Sequence, residues 1–283
     1  MKVAAALRGA AEKLSPVSDT ARLDTEVLMA EVLGVTRSEL LLRHMDDEAP
    51  AAFQAMVERR LRHEPVAHII GRQEFFGREF QVSPAVLIPR ADSETTVLAA
   101  LEACPEPKRV LDCGTGSGVL LLTLLAERTG CEGVGIDRSP AALAVAKGNA
   151  GRLGLAGRCE LLERDWTRAG WAEGIGSFDL IIANPPYVEQ GAELAPSVRD
   201  YEPSGALFAG EDGLDDYRSL IPQLPGLLAE GGVAAVEIGA SQADMVAEIA
   251  KQAGFSAELH KDLAGRPRVL VLRLGLGKDS VAR

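Results

Sequence analysis

The pattern of apolar and polar positions changes period along the chain. From residue 1 to about 73 the apolar residues recur at helical spacing. Residues 19–33 carry Val27, Leu28 and Val32 and stop at Gly34. Thr36-Arg37-Ser38-Glu39 has the spacing of a capping box and opens a short helix through Leu40, Leu41 and Leu42. Pro50 opens a further helix, with Phe53, Met56, Val57 and Leu61 along one stripe. Residues 74–82 then alternate loosely around Gly77, which predicts a hairpin. Val86-Leu87-Ile88-Pro89-Arg90 follows, and a helix over about 93–103. Beyond it, short apolar runs alternate with helical stretches. Strands are expected at 109–112, 133–137, 160–163, 178–183, 232–238, 255–261 and 269–274. Helices are expected at 119–128, from Ser139-Pro140 to about Leu153, and over about 242–254. This alternation is the mark of an α/β fold with a mostly parallel sheet and helices on both faces. The expected domains are a helical one over 1–73, a hairpin linker over 74–91 and the α/β domain over 92–283, with a frayed tail at 275–283.

Composition narrows the function classes. A chain of 283 residues is long enough for two domains, and 47% hydrophobic with 25% charged residues is ordinary for a soluble globular protein. The net charge of −11 argues against a protein whose main task is gripping a nucleic-acid backbone. The four cysteines, Cys104, Cys113, Cys131 and Cys159, form no CxxC pair and read as buried thiols of a reducing compartment. The four histidines are scattered, so no metal site is expected. No signal peptide is visible, and no apolar run approaches the roughly 18 residues of a membrane span, so a cytoplasmic location is expected.

The candidate chemistry begins where the run 178–183 meets Asn184-Pro185-Pro186-Tyr187. Two consecutive prolines cannot donate to a sheet ladder and each fixes its φ, so they end the strand. Asn184 then sits in stiff backbone at a strand's carboxyl end, where ligands bind in open α/β sheets. The arrangement suits a planar NH2 group. The Asn184 side-chain carbonyl can accept one N–H, the Pro185 carbonyl the other, and the Tyr187 ring can stack on the plane.

A second motif lies upstream. Gly114-Thr115-Gly116-Ser117-Gly118 follows an expected strand ending in Asp112-Cys113 and opens a helix. It is tighter than the dinucleotide pattern, and Asp137 ends the next strand, placed to accept from two ribose hydroxyls. The glycines permit close approach of a ligand, and the helix N-terminus favours a carboxylate. A ligand with ribose and carboxylate but no pyrophosphate is S-adenosyl-L-methionine. Asp165 and Trp166, after the third strand, are candidate neighbours of its adenine, and Asn184 is placed to border it.

The Asp112–Gly118 turn, Asp137 and Asn184-Pro185-Pro186-Tyr187 resemble class I S-adenosylmethionine-dependent methyltransferases that act on amino groups. Three further blocks resemble the PrmC/HemK family: Leu87-Ile88-Pro89-Arg90, Tyr201-Glu202-Pro203 with residues 206–214, and residues 261–269. The likeness covers about 24–274. It implies a seven-stranded, mostly parallel sheet behind a small all-helical domain. It also implies transfer of a methyl group to the side-chain amide nitrogen of the glutamine in the Gly-Gly-Gln motif of peptide-chain release factors. On the residues alone, Phe80 is either hairpin core or a ring over the site, with core favoured; the resemblance implies a ring covering the substrate glutamine. Pro186 joins the substrate-binding turn on the same ground. Ala91 and Cys113 depart from the family's usual proline and leucine. The alternative activity is adenine-N6 methylation of DNA or RNA, which shares the Asn-Pro-Pro-Tyr chemistry but wants a basic groove; no stable nucleic-acid binding is expected. Residues 188–213 are long for a connection and are expected to fold over the site. The helical domain carries Arg59, Arg60 and Arg62 and no catalytic group, so its expected task is docking of the protein substrate.

Overall fold

The computed structural model of the protein describes residues 1–275; the expected tail lies, beyond residue 275, outside the described residues. The chain divides into two compact units, one of residues 1–72 with 194–202, the other of residues 73–193 with 203 onward.

The first unit is built from α1 (Val3–Leu14), α2 (Ala21–Leu33), α3 (Arg37–Arg43), α4 (Ala52–Leu61) and α5 (Val66–Ile70). Its ends follow from the local sequence. Gly34 closes α2 in the left-handed region at φ +66°, a conformation costly for residues with a Cβ. Thr36 and Glu39 form the expected reciprocal capping box at the start of α3. Phe53 and Val57 of α4 join Val3, Leu7, Leu14, Leu28, Met29 and Leu40 in one apolar core. Residues 194–202, including the short α9 (Pro196–Arg199), belong to this unit, and the Tyr201 hydroxyl donates to the Arg62 carbonyl at 2.8 Å.

From residue 73 the second unit begins within β1 (Arg72–Phe75), which with β2 (Arg78–Gln81) forms the expected hairpin. Then come α6 (Glu94–Ala103), β3 (Arg109–Cys113), α7 (Val119–Glu127), β4 (Glu132–Asp137), α8 (Pro140–Arg152), β5 (Cys159–Glu163) and β6 (Phe178–Ala183). The chain continues through α10 (Asp215–Leu220), β7 (Leu228–Glu237), α11 (Ala243–Gln252), β8 (Phe255–Lys261) and β9 (Pro267–Leu274). Seven strands make one sheet in the order β5-β4-β3-β6-β7-β9-β8, parallel except where β9 runs against β7 and β8. The order reverses at β3, so a crevice opens between the carboxyl ends of β3 and β6, as the Asn184 argument requires. This is the fold of class I methyltransferases.

The central strands are apolar on both faces because both are covered. In β6, Leu180 and Ile182 enter one core cluster and Ile181 and Ala183 the other, as the two-residue period of a strand dictates. Leucines of α7 fill the first, and Tyr217, Leu220 and Leu224 help fill the second. Strand β7 starts four residues before the expected 232, with a register irregularity against β6 between Phe178 and Leu180.

Candidate active site

The carboxyl ends of β3, β4 and β6 open into one cavity of about 1020 Å³, counting the space at its mouth. Of the residues expected at the site, Gly114, Thr115, Gly116, Ser117, Asp137, Trp166, Asn184 and Pro186 line it. The structure thus brings the glycine turn and Asn184, some 70 residues apart in sequence, onto one wall.

Asp137 is rigidly held. Its Oδ2 accepts the Gly116 N–H at 2.9 Å and its Oδ1 the Ser139 N–H at 2.8 Å. Each oxygen keeps a further lone pair, so the carboxylate can still accept hydroxyls from the cavity. Ser139 also caps α8, accepting from the Ala142 N–H at 3.2 Å. Trp166 forms another wall. Its Nε1–H donates to Asp216 Oδ1 at 3.0 Å and its carbonyl accepts from Gln223 Nε2 at 2.9 Å. The indole lies so close over Gly114 that a Cβ there would sit 3.1 Å from the ring. An indole edge beside a glycine suits a flat heterocycle.

Two buried polar atoms of this wall lack a partner among the described residues: Asp112 Oδ1 and Ser117 Oγ. Asp112 is 1% exposed, and its other oxygen accepts from Thr115 Oγ1 at 2.7 Å. Burial pushes its carboxyl from 3.8 up to about 7, against the Thr115 hydroxyl and the Leu121 backbone N–H that lower it. A buried acid on a cavity wall is an acceptor for an ammonium, and the Ser117 hydroxyl with the start of α7 offers donors to a carboxylate. A ligand with amino, carboxylate, ribose and adenine groups therefore finds chemistry to match at Asp112, Ser117, Asp137 and Trp166.

Other expected residues sit elsewhere. Phe80 is the main correction: it is 0% exposed, lies edge-on to Phe75 with ring centroids 6.3 Å apart, and does not line the cavity. In β2 only Phe80 is buried, while Glu79 and Gln81 are exposed, so strand alternation sends this ring into the core with Leu120 and Leu124. Gly118 serves the backbone. It precedes α7 at φ +81°, and a Cβ there would lie 2.8 Å from Leu122 Cδ1. Asp165 points its carboxylate at its own turn, where Oδ1 accepts from the Thr167 N–H and hydroxyl at 3.0 and 2.7 Å. Burial would raise this carboxyl, but those bonds and Arg168 hold it below the usual range. Pro185 and Tyr187 belong to the turn, yet neither lines the cavity. Tyr187 packs against the core behind it, and burial raises its phenol, so the ring stays neutral.

Sequence reading passed over several cavity residues. Asp112 enters the sequence pattern only as the lead-in to the glycine turn, although an acid inside an apolar strand is itself a signal. Val86, Leu87, Pro89 and Arg90 line the cavity, so the block read as a family mark is also a wall. Pro203, Gly205 and Ala206 come from the long connection, and Arg138 Nη2 donates to the Gly205 carbonyl at 2.6 Å. Part of 188–213 thus borders the cavity as expected, while 194–202 joins the helical unit instead.

Two family models match the chain: a PrmC N-terminal domain over residues 5–71 and a methyltransferase domain over residues 106–260. A solved methyltransferase from Pyrococcus furiosus superposes with a TM-score of 0.52 at 16% identity, covering 79% of this chain and 98% of that one. Fold and site define a class I methyltransferase. The release factor glutamine methyltransferase of Rhodospirillum rubrum is 43% identical over 261 residues, 89% of this chain and 78% of that one. Those of Caulobacter vibrioides and Cereibacter sphaeroides are each 42% identical, the latter over 97% of this chain and 99% of its own. The chain belongs to the release factor glutamine methyltransferase family.

Proposed function

We propose that the protein methylates the N5 side-chain amide of the glutamine in the Gly-Gly-Gln motif of peptide-chain release factors, with S-adenosyl-L-methionine as donor and in the cytoplasm. The observation that carries this reading is Asn184 on the wall of the same cavity as Asp112, Ser117 and Asp137. Bound there, the donor supplies a methyl group on a sulfonium, reactive enough to need no covalent enzyme intermediate. The chain's own work is then placement. Asp112, Ser117, Asp137 and Trp166 hold the donor. The Asn184 side-chain carbonyl and the Pro185 carbonyl each accept one N–H of the substrate amide, which fixes its plane and offsets the positive charge that builds on its nitrogen. Apolar Leu87 and Pro186 exclude water from the cavity wall. No strong base is required, because a methylated, positively charged amide nitrogen sheds its proton readily. Membership of the family and the relatives' names support the release-factor substrate.

A transfer assay with labelled methyl donor, run on release factor, DNA and RNA, tests the reading. We expect label in release factor alone, and none when its Gly-Gly-Gln glutamine is replaced. Asn184→Ala should cut turnover by about a hundredfold or more while donor affinity stays within about threefold. Label in nucleic acid, or near-normal turnover of Asn184→Ala, would sink it.

A further inference from the structure

The turn that carries Asn184 is tied down from behind by one buried side chain. Gln242 immediately precedes α11 and is 3% exposed. Its Oε1 accepts the Gly239 N–H, just past β7, at 3.1 Å. Its Nε2 donates to the Tyr187 carbonyl at 3.1 Å and to the Gly213 carbonyl at 3.3 Å. Both amide hydrogens are therefore used, and the orientation of the amide is forced, because two carbonyls can only accept and an N–H can only donate. Three segments meet on this one group: the end of the Asn184–Tyr187 turn, the end of the long connection, and the exit of β7.

The meeting is tight. Gly213 lies at φ +70°, and a Cβ on it would stand 2.4 Å from the Tyr187 carbonyl oxygen and 2.8 Å from Gln242 Nε2. Only a glycine lets the two carbonyls converge on the same amide. Between the anchored Tyr187 carbonyl and Asn184 stand only Pro185 and Pro186, whose rings fix φ. Two of the torsions in that stretch are thus fixed, leaving the ψ angles and those of Tyr187, so much of a shift of the carbonyl is passed on to Asn184.

We propose that Gln242 is a positioning residue for methyl transfer: it anchors the Tyr187 carbonyl and, through the two prolines, sets the aim of Asn184 at the acceptor amide. This rests on the function proposed above. A purely structural Gln242 affects stability and leaves turnover of the folded protein alone. A positioning Gln242 affects turnover without weakening either substrate.

The test uses the full chain with two variants. Gln242→Glu keeps size and shape but sets an acceptor against two carbonyls. Gly213→Ala keeps the Gln242 side chain chemically unchanged but crowds the contact itself, pressing on both the Tyr187 carbonyl and the Gln242 amide. For each we expect kcat on whole release factor to fall about ten- to hundredfold, the penalty of a sub-ångström to 1 Å misplacement. KM for release factor and donor affinity should change less than about threefold. Amide exchange at residues 188–190 should quicken while the amides of β6 and β7 keep their protection. Wild-type kcat in the folded variants, a loss confined to KM, or unchanged exchange at 188–190 overturns the proposal. If Gln242→Glu fails to fold, Gly213→Ala decides by the same readouts. If the wild-type protein itself fails to methylate release factor, the functional reading falls, and the exchange measurement still decides whether Gln242 holds the turn.

Discussion

Asp112 shows what a single residue contributes and what it costs. Its carboxyl is buried, one oxygen lacks a partner among the described residues, and burial raises it from 3.8 to about 7. A folded-state pKa above the unfolded value means that folding favours the protonated acid. The stability it contributes is therefore complete below about pH 4 and is lost as pH rises through about 7. At about 1.4 kcal/mol per unit the swing is on the order of 4 kcal/mol, so a site acid weakens the empty protein at neutral pH. Asp112→Asn removes the charge. Denaturant unfolding without ligand should show the variant gaining on the wild type between about pH 4 and about 7, and binding the donor more weakly throughout. A stability difference that does not vary with pH would refute this account. The residue types of the site were legible because glycine turns, acids at strand ends and Asn-Pro-Pro carry their chemistry in local spacing. The state of Asp112 was not, since it depends on how completely β3 is covered by residues distant in sequence.

At the scale of elements, the alternation of β3 to β9 with their helices was readable from period alone, and the capping box at Thr36 and the Ser139-Pro140 start of α8 came out as expected. Phe80 is more instructive. The residues alone favour the core, the family resemblance implies a place over the substrate, and the structure puts it in the core, edge-on to Phe75 and in one cluster with Leu120 and Leu124. A four-residue strand offers one inward position here, and Phe80 takes it. The hairpin is therefore fastened by this ring. It is also held by the Gln81 N–H donating to Asn149 Oδ1 at 2.7 Å, with Asn149 Nδ2 returning a bond to the Gln81 carbonyl at 3.0 Å. Phe80→Ala leaves a ring-sized cavity and should cost about 3–5 kcal/mol in unfolding. Where the variant is still folded, its kcat should stay within about threefold of wild type. A variant of normal stability that has lost turnover would return Phe80 to the substrate. The place of 194–202 was beyond sequence reading for a different reason: its partners lie more than a hundred residues upstream, and no local pattern marks such a contact.

For the molecule as a whole, charge is unevenly shared. Residues 1–75 hold 10 Lys and Arg against 12 Asp and Glu, a net −2, which leaves −9 of the total −11 for the rest. The helical unit is thus the less repulsive approach for an acidic face of a protein substrate, and a small glutamine side chain needs binding energy from beyond the cavity. The expected arginine cluster, however, is not one surface. Arg59 binds Glu64 through two bonds of 2.8 and 2.5 Å and reaches the Ile69 carbonyl at 3.3 Å. Arg60 is largely buried against Asp24 at 2.8 Å. Only Arg62 is exposed, which makes it the docking candidate. The three should therefore separate. Arg60→Ala strands a buried carboxylate that Ser18 and Thr20 still partly satisfy, so the loss should be about 3 kcal/mol, read by thermal melting. Arg62→Glu should leave the melt unchanged and raise KM for whole release factor several-fold at low salt, with the gap closing once the Debye length falls to about 3 Å near 1 M. Deleting residues 1–72 is a poorer test, because it also removes the carbonyl that Tyr201 holds. If Arg62→Glu turns over whole release factor with the wild-type KM at every salt concentration, Arg62 is not the contact, and the helical unit must bind its partner through a face without this charge.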